Sequence, residues 1–484
     1  MRQWMVAAKK ADFYAIAEKF HVDPVVARII RNREVIGEKN IRIYLGGNLS
    51  DLSDPHQMKD MDRLVEILAQ KIRKQVHIRI IGDYDVDGVT SSHLFLTALR
   101  RVGAKVDVVI PHRIQDGYGL SLHLLQQAKE DGVDTILTCD NGIAAIDEIA
   151  WAKAQKMTVL VTDHHAVPFE EHEGRRTEKK SLADAVVNPH QQDCGYPYKE
   201  LCGAGVAWNV IRVLYENYDM DKREAEDLLD FVAMATVCDV MSLTGENRIL
   251  VKEGLKRIRH TKNIGLQALM QACNVQPENI SAYHFGYVLG PCVNATGRLD
   301  TARHALRLFE TGQETEAEEI ARDLVDLNQE RKELTLQGVE MAKKLCEEGG
   351  YENDPVLVLF LPDVHESIAG LIAGRIREMY NRPVFVLTRG EEGVKGSGRS
   401  TENYSMYENM CGCAELFTKF GGHPMAAGLS LPEENVEKFR RKINENCPLT
   451  VEEVCPDIHI DMAMPVGYAF RELVHQFALL EPFG

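Results

Sequence analysis

From residue 76 to about 190 the chain repeats one pattern: a short run of β-branched residues, a polar ending, then a stretch of helical periodicity. The runs fall at 77–81, 106–110, 135–138, 159–162 and 185–187. Short apolar runs that alternate with helical stretches predict βαβ units and a parallel sheet. In open sheets of this kind ligands bind beyond the carboxyl ends of the strands, so the residues just after each run are the first candidates for chemistry. A mainly helical stretch follows from about 203 to 310. Between about 313 and 347, Ala317, Ile320, Leu324, Leu327, Leu334, Met341 and Leu345 recur at steps of three, four or seven among many charged residues. That spacing predicts one long amphipathic helix, a natural connector between two lobes. Beyond it, 355–361 and 383–387 predict strands of a second α/β unit.

The expected fold is therefore α/β, with two α/β lobes joined by a long helix. Residues 1–75 form an N-terminal helical lead, with a loop at 49–55 and a helix over 58–72. The first lobe spans 76–310, the connecting helix 311–350 and the second lobe 351–450, and 451–484 is too short for a domain. With 484 residues, 45% of them hydrophobic and 27% charged, the composition is that of a globular protein large enough for sizeable cores. The 11 cysteines are scattered and contain no CxxC pair, which predicts reduced thiols and no cysteine-bound zinc. A formal charge of −17 excludes a protein that coats duplex nucleic acid by bulk charge, so any such contact is local. Neither a transmembrane run nor a signal-peptide core is visible, and a cytoplasmic protein without membrane contact is expected.

Candidate chemistry gathers at the strand ends. Gly82-Asp83-Tyr84-Asp85-Val86-Asp87-Gly88 follows the first run. In extended backbone alternate residues point the same way, so Asp83, Asp85 and Asp87 are expected to face one point. Converging carboxylates repel unless cations neutralise them, which predicts a divalent metal site. Leu94 stands where an EF-hand would need its Glu, which disfavours that alternative. Asp140-Asn141-Gly142 and Asp163-His164-His165 close two further strands, and Asp239 lies in an apolar helical run. Mixed carboxylate and imidazole donors suit manganese, magnesium or iron better than calcium. A cluster of this size can hold two metals, the arrangement that clamps both oxygens of a phosphoester under displacement. No GxGxxG follows the first strand, so hydride transfer is a poor reading. Cationic segments complement the acidic cluster: Arg113 after the second strand, Arg298 in a glycine-containing turn, and Lys395 to Arg399, with Ser397 and exposed glycine amides. From Arg375 to Arg399 six basic residues face three Glu, a local basic face suited to phosphate.

In the order GDYDVDG, TCDNG, TDHH and a helical Asp, the chain resembles the DHH phosphoesterase superfamily, and within it the RecJ family of 5′-to-3′ exonucleases specific for single-stranded DNA. The segments 111–121, 187–208, 293–300, 395–400 and 421–428 resemble that family's characteristic stretches, and the likeness covers essentially the whole chain. It implies that Asp83, Asp85, Asp87, Asp140, His164 and Asp239 ligate two divalent cations, Mn2+ or Mg2+. His165 would border the scissile phosphate, making Asp140, His164 and His165 the catalytic set. Arg113, Arg298, Ser397 and Arg399 would hold phosphates, with Ser397 and Arg399 at the terminal 5′-phosphate, and His423 would lie where the DHH-associated domain closes a single-strand channel. Single-stranded DNA is the implied partner, with a RecQ-type helicase and a single-strand-binding protein beside it, and a monomer is expected. The chain departs from the family at Val364-His365-Glu366, where Trp more usually precedes the His and Gly follows the next residue. It also stops at 480–484, where members run on into an oligonucleotide-binding barrel: either the chain is cut short there or this member lacks that domain. Two other readings compete: a DHH phosphodiesterase of short oligonucleotides, cyclic dinucleotides or pyrophosphate, and an inactive scaffold.

Overall fold

The computed structural model describes residues 4–113, 116–117, 119–172, 175–299, 301–390, 393–455 and 457–483. Ile114, Gln115 and Tyr118 of the 111–121 segment, and Asp300 of 293–300, lie outside them. The chain forms two compact units: Ala11–Asn328 with Ala469–Gly484, and Met1–Lys10 with Gln329–Tyr468.

The first unit is built on five parallel strands in the order Val106–Val109, Ile78–Ile81, Thr135–Cys139, Thr158–Thr162, Ala185–Val187. Alternate residues serve opposite faces. Ile80, Leu137, Leu160 and Val187 pack into a core with Phe95 and Trp208, whereas Ile81, Ile136, Val159 and Val186 pack with Leu125 and Ile149. Burial on both faces is why these strands read as continuous apolar runs. The first strand is flanked on one side by the second and on the other by the third, so the strand order reverses there. A crevice opens beyond the carboxyl ends of Ile78–Ile81 and Thr135–Cys139 at such a reversal.

The second unit has a five-stranded mixed sheet, ordered Lys419–His423, Ala426–Leu431, Gly393–Arg399, Val384–Gly390, Leu357–Phe360. Only the last pair is parallel. The expected second α/β unit is present, but hairpins carry most of its sheet. The helix Glu314–Glu348, 35 residues long, starts in the first unit and ends in the second. Two features escaped the sequence pattern. Trp4–Val6 pairs in parallel with Ile458–Ile460, three exposed or half-exposed residues on each side with no periodicity to betray them. The helix expected from 58 starts at Met61, because Pro55–Gln57 forms a 3-10 turn and Asp60 takes a φ of +61°.

Arg248 fastens the segment 469–483 to the rest of the first unit. Its guanidinium is fully buried and donates to the carbonyls of Tyr44 (2.6 Å), Leu479 (3.0 Å), Leu480 (3.1 Å), Glu481 (2.6 Å) and Pro482 (3.0 Å). The rigid fork of five N–H groups suits this array of carbonyls as no other side chain does. Arg248→Leu strands several buried acceptors at about 1–3 kcal/mol each. The expected outcome is a loss of about 3 kcal/mol in denaturant unfolding together with rapid proteolysis after residue 470. Unchanged stability would contradict the clamp.

Candidate metal centre

Asp83 lies one residue past the first strand, after Gly82. Asp85 is the N-cap of the helix Val86–Arg101, its carboxylate accepting from Gly88 N at 3.0 Å, and Asp87 lies in the first helical turn. The chain is thus not extended through this motif, and the alternation expected from the sequence is not how the carboxylates converge. The start of the helix brings Asp87 within reach of His164 and Asp239, while its charge still acts on Asp85. Among the described residues, potential donor atoms form three overlapping groups, each within 4.8 Å: Asp83, Asp85 and Asp140; Asp87, His164 and Asp239; and Asp140, His164 and His165. Asp140 belongs to the first and the third, so it stands between two clusters. From His164 Nε2, carboxylate oxygens lie at 3.1 Å (Asp140), 3.6 Å (Asp239) and 3.7 Å (Asp87).

The fold places each donor by a separate device. Asp140 adopts a φ of +62° just past the third strand, while the Asn141 amide donates to Ile81 O (3.0 Å) and Cys139 O (2.9 Å), tying together the two strands that flank the crevice. Asp239 caps the carboxyl end of Leu229–Cys238, one position past the helix rather than inside it. The Asp87 carboxylate receives Gly203 N (2.6 Å) and Ala204 N (2.8 Å) from the first turn of the helix Gly203–Asn217. Such charge-assisted bonds at a positive helix end hold a carboxylate in one orientation. Only glycine fits at 203, since a Cβ there would lie 2.6 Å from that of Asp140.

Burial pushes these carboxyls up, and mutual repulsion adds to it. Asp83 and Asp140 stand well above the ordinary range, Asp85 is raised, and Asp239 reaches about 8. Burial lowers the pKa of His164, which is therefore a neutral imidazole able to donate a lone pair. Asp83 Oδ1 and His164 Nε2 are buried and make no hydrogen bond among the described residues. Buried acidic oxygens and a neutral imidazole nitrogen without partners are the donor set that Mn2+ or Mg2+ satisfies.

His165 is held differently. Asp163 accepts from the backbone N–H of Ile143 (2.9 Å), His164 (2.7 Å) and His165 (3.1 Å), and from the ring Nδ1 of His165 (2.7 Å). Burial alone would lower the pKa of His165, but the bond to Asp163 and the charges of Asp163, Asp239 and Asp87 outweigh it and raise it to about 9. Asn188 adds a bond to the His165 carbonyl at 2.9 Å. The role of Asp163 in orienting His165 went unread in the sequence, although an acid directly before two histidines at a strand end was the available signal.

The cationic residues fall in both units. Arg113 lies over the Tyr84 ring at 4.9 Å, and both Arg113 and Arg298 act on the Tyr84 hydroxyl, which burial raises to about 12. Arg298 is carried by the helix Gly290–Leu299, not by a turn. The glycine before it is needed for packing: a Cβ on Gly297 would lie 2.3 Å from Tyr84 O, and Asn294 Oδ1 accepts from Val86 N at 3.1 Å. In the second unit Ser397 and Arg399 lie on the strand Gly393–Arg399, which is paired on both sides, so its glycine amides serve the ladder rather than standing exposed. Register places Arg399, Ala426 and His423 in one row, and Ser397, Gly428 and Gly421 in the next. Cross-strand partners share a face, so Ser397, Arg399 and His423 border a floor of bare glycine backbone. His423 is exposed at the hairpin end, about 10 Å from the Arg399 strand at two strand spacings.

Residues 77–236 match the model of the DHH family, N-terminal domain, and 353–447 that of the DHHA1 domain. Over 440 residues the chain is 36% identical to the single-stranded-DNA-specific exonuclease RecJ of Haemophilus influenzae, covering 87% of this chain and 74% of that one. The chain belongs to the RecJ family. RecJ of Bacillus subtilis is 33% identical over 97% of this chain, which spans 58% of its length. Among solved structures, RecJ from Thermus thermophilus in complex with Mn2+ superimposes with a TM-score of 0.83 at 27% identity, over 100% of this chain and 68% of that one. Its complex with Mg2+ gives a TM-score of 0.78 over 100% and 66%, also at 27% identity.

In a RecJ-family site without metal, raised carboxyl pKa values set a sign. Their protonated forms favour the fold below about pH 4, and that contribution is lost as pH rises toward about 8, the figure for Asp239. The increment in melting temperature produced by Mn2+ should therefore grow between pH 5 and pH 8. Asp85→Asn keeps the helix cap but removes a charge, and should raise the metal-free melting temperature by about 2 °C while shrinking the Mn2+ increment. Thermal scans at several pH values check both, and an increment that falls with pH would refute the reading.

Proposed function

We propose that the chain is a two-metal-dependent 5′-to-3′ exonuclease that degrades single-stranded DNA to 5′-mononucleotides in DNA repair and recombination. The observation that carries this reading is the chain of overlapping donor groups, Asp83, Asp85 and Asp140 on one side and Asp87, His164 and Asp239 on the other, linked through Asp140 and His164 in the crevice where the strand order reverses. Asp83, Asp85, Asp87, Asp140, His164 and Asp239 would hold two divalent cations, Mn2+ or Mg2+, which supply Lewis acidity at phosphorus and a water acidic enough to attack at neutral pH.

The remaining work falls to the protein's own groups. His165, half-exposed where His164 is buried, meets an incoming phosphate at the rim of the cluster. Its positive charge, sustained by Asp163, offsets charge on the phosphate, and its Nε2 proton passes to the departing 3′ oxygen. Arg113 and Arg298 hold backbone phosphates beside Tyr84. Ser397 and Arg399 take the terminal 5′-phosphate, and the glycine floor beside them lets a strand lie close to the backbone. No described helix is long and apolar enough to cross a membrane. A cytoplasmic monomer fed by a RecQ-type helicase and a single-strand-binding protein completes the reading.

The test uses a single-stranded oligonucleotide labelled at its 3′ end, with and without a 5′-phosphate, beside its duplex, in Mn2+ and in EDTA. Stepwise shortening of the single strand in Mn2+ alone, with the duplex intact, is expected. Persistence of long strands with hydrolysis of dinucleotides or cyclic dinucleotides would replace this reading by the small-substrate one. Asp140→Ala should abolish the activity. His165→Ala should lower kcat by about 10²–10⁴, the range of one acid catalyst. Asp163→Asn should lower the pKa of His165, so the loss of kcat with rising pH sets in earlier than in the parent; an unmoved alkaline limb would exclude His165 as the acid.

A further inference from the structure

Two tyrosines stand stacked on the surface of the parallel-sheet unit. The rings of Tyr283 and Tyr287 have centroids 5.1 Å apart and planes inclined by 25°. They nevertheless remain 62% and 73% exposed. Aromatic side chains of this size normally bury most of their area, so a nearly parallel pair left in water offers an outer ring face to another planar group. The backbone beneath them is unusual. Tyr287 sits in the π-helical turn Phe285–Leu289, whose Phe285 and Leu289 are buried, and π turns are rare and frequent at functional sites.

This turn is packed against the metal centre's own scaffold. Cys238 Sγ lies 3.3 Å from the Phe285 carbonyl, and Cys238 is the last helical residue before Asp239. On the other side of Asp239, Val240 adopts a φ of +57° while 87% exposed. Helices that end in a left-handed residue usually place glycine or asparagine there. A β-branched side chain in that conformation is strained, and strain of this kind clusters at binding and catalytic sites. Val240, Tyr283 and Tyr287 line one groove of about 1080 Å³, with Lys252, Lys256, Arg259 and Glu481 also in its wall. Lys256 pairs with Glu253 at 2.7 Å, and the half-buried Lys252 donates to Leu45 O at 3.0 Å. Arg259 is exposed at the end of the helix Gly245–Ile258.

We propose that this groove is a base-stacking subsite for single-stranded nucleic acid, in which unpaired bases extend the Tyr283–Tyr287 stack, Val240 packs on a base edge and the cations neutralise backbone phosphates. The inference rests on the reading of the chain as a single-strand exonuclease and adds to it a site that selects the strand's form. Three observations favour this occupant over a protein. Parallel, solvent-facing rings match the flat faces of bases, which stack without regard to sequence. Three basic residues against one acid, Glu481, give the wall a net positive charge in a chain that is acidic overall, with exposed Arg259 placed to meet a phosphate. The groove is also continuous, through Cys238 and Val240, with the turn that bears Asp239. A duplex hides every base face except the terminal one, so such a platform holds single strands and gives duplex no purchase.

The experiment measures fluorescence anisotropy of a fluorescein-labelled, phosphorothioate-linked dT20, which resists cleavage, with the full chain in Mn2+. Tyr283→Ala with Tyr287→Ala should weaken binding about 100-fold, roughly tenfold for each stacking ring removed. Tyr283→Phe with Tyr287→Phe should stay within about threefold of the parent, because ring faces and not hydroxyls make the contact. Arg259→Ala should lower the dependence of log affinity on log salt by about 0.7, the slope of one phosphate contact on a single strand. A 5-iodouracil-substituted strand should photocrosslink to Tyr283 or Tyr287, a readout that needs no folded variant. The proposal is overturned if the double alanine variant binds within threefold of the parent, if the phenylalanine pair loses as much as the alanine pair, or if crosslinks fall elsewhere. It is also overturned if sedimentation shows a dimer that the alanine pair abolishes, since the patch is then a face between two copies. Failure of the parent itself to bind or cut single strands would defeat the exonuclease reading, a result distinct from a parent that does both while the alanine pair binds equally well.

Discussion

Five carboxylates are drawn into one crevice with two imidazoles, and the mutual repulsion of the carboxylates is the constraint on which the rest of the structure depends. Carboxyl groups left to themselves in that position would protonate or part, as their raised pKa values record. They are kept converged by elements that have other folding reasons to be there. The reversal of strand order brings the ends of Ile78–Ile81 and Thr135–Cys139 side by side, Asn141 ties them together, and the helix Gly203–Asn217 presents its first amides to Asp87. The site is thus preorganised for cations by the backbone, at a cost in stability that cations offset when they bind.

Charge is arranged asymmetrically around that crevice. One histidine, buried among acids, is neutral; its neighbour in sequence, bonded to Asp163, is charged. Adjacent residues of one type thereby acquire opposite protonation states. The second unit, by itself, carries a contrasting surface, a strand row of Ser397, Arg399 and His423 over glycine backbone.

The βαβ alternation, the long helix and the acidic strand ends were legible in the sequence because each is a local pattern with a period or a position. Asp83, Asp85, Asp87, Asp140, His164, His165 and Asp239 all come together in one unit. What could not be read locally was geometry that depends on partners distant in the chain. The start of the helix at Val86 depends on Asp85 as a cap and on Asn294, 208 residues away, and it defeats the simple alternation of carboxylates. Gly297 reads as a turn residue until Tyr84 is seen packed against it. The amides of Lys395–Ser400 look exposed until both neighbouring strands are in place, and the short pairing of Trp4–Val6 with Ile458–Ile460 has no signal of its own.

The central claim is that two clusters share cations across Asp140. Equilibrium binding of Mn2+, followed by electron paramagnetic resonance with total metal counted after dialysis, tests it most directly on the full chain and on Asp140→Asn. Two equivalents per chain with magnetic coupling between them, and loss of the coupling together with a sharp fall in affinity in the variant, are predicted. A single equivalent in the parent, or two that survive Asp140→Asn with unchanged affinity, would contradict the account.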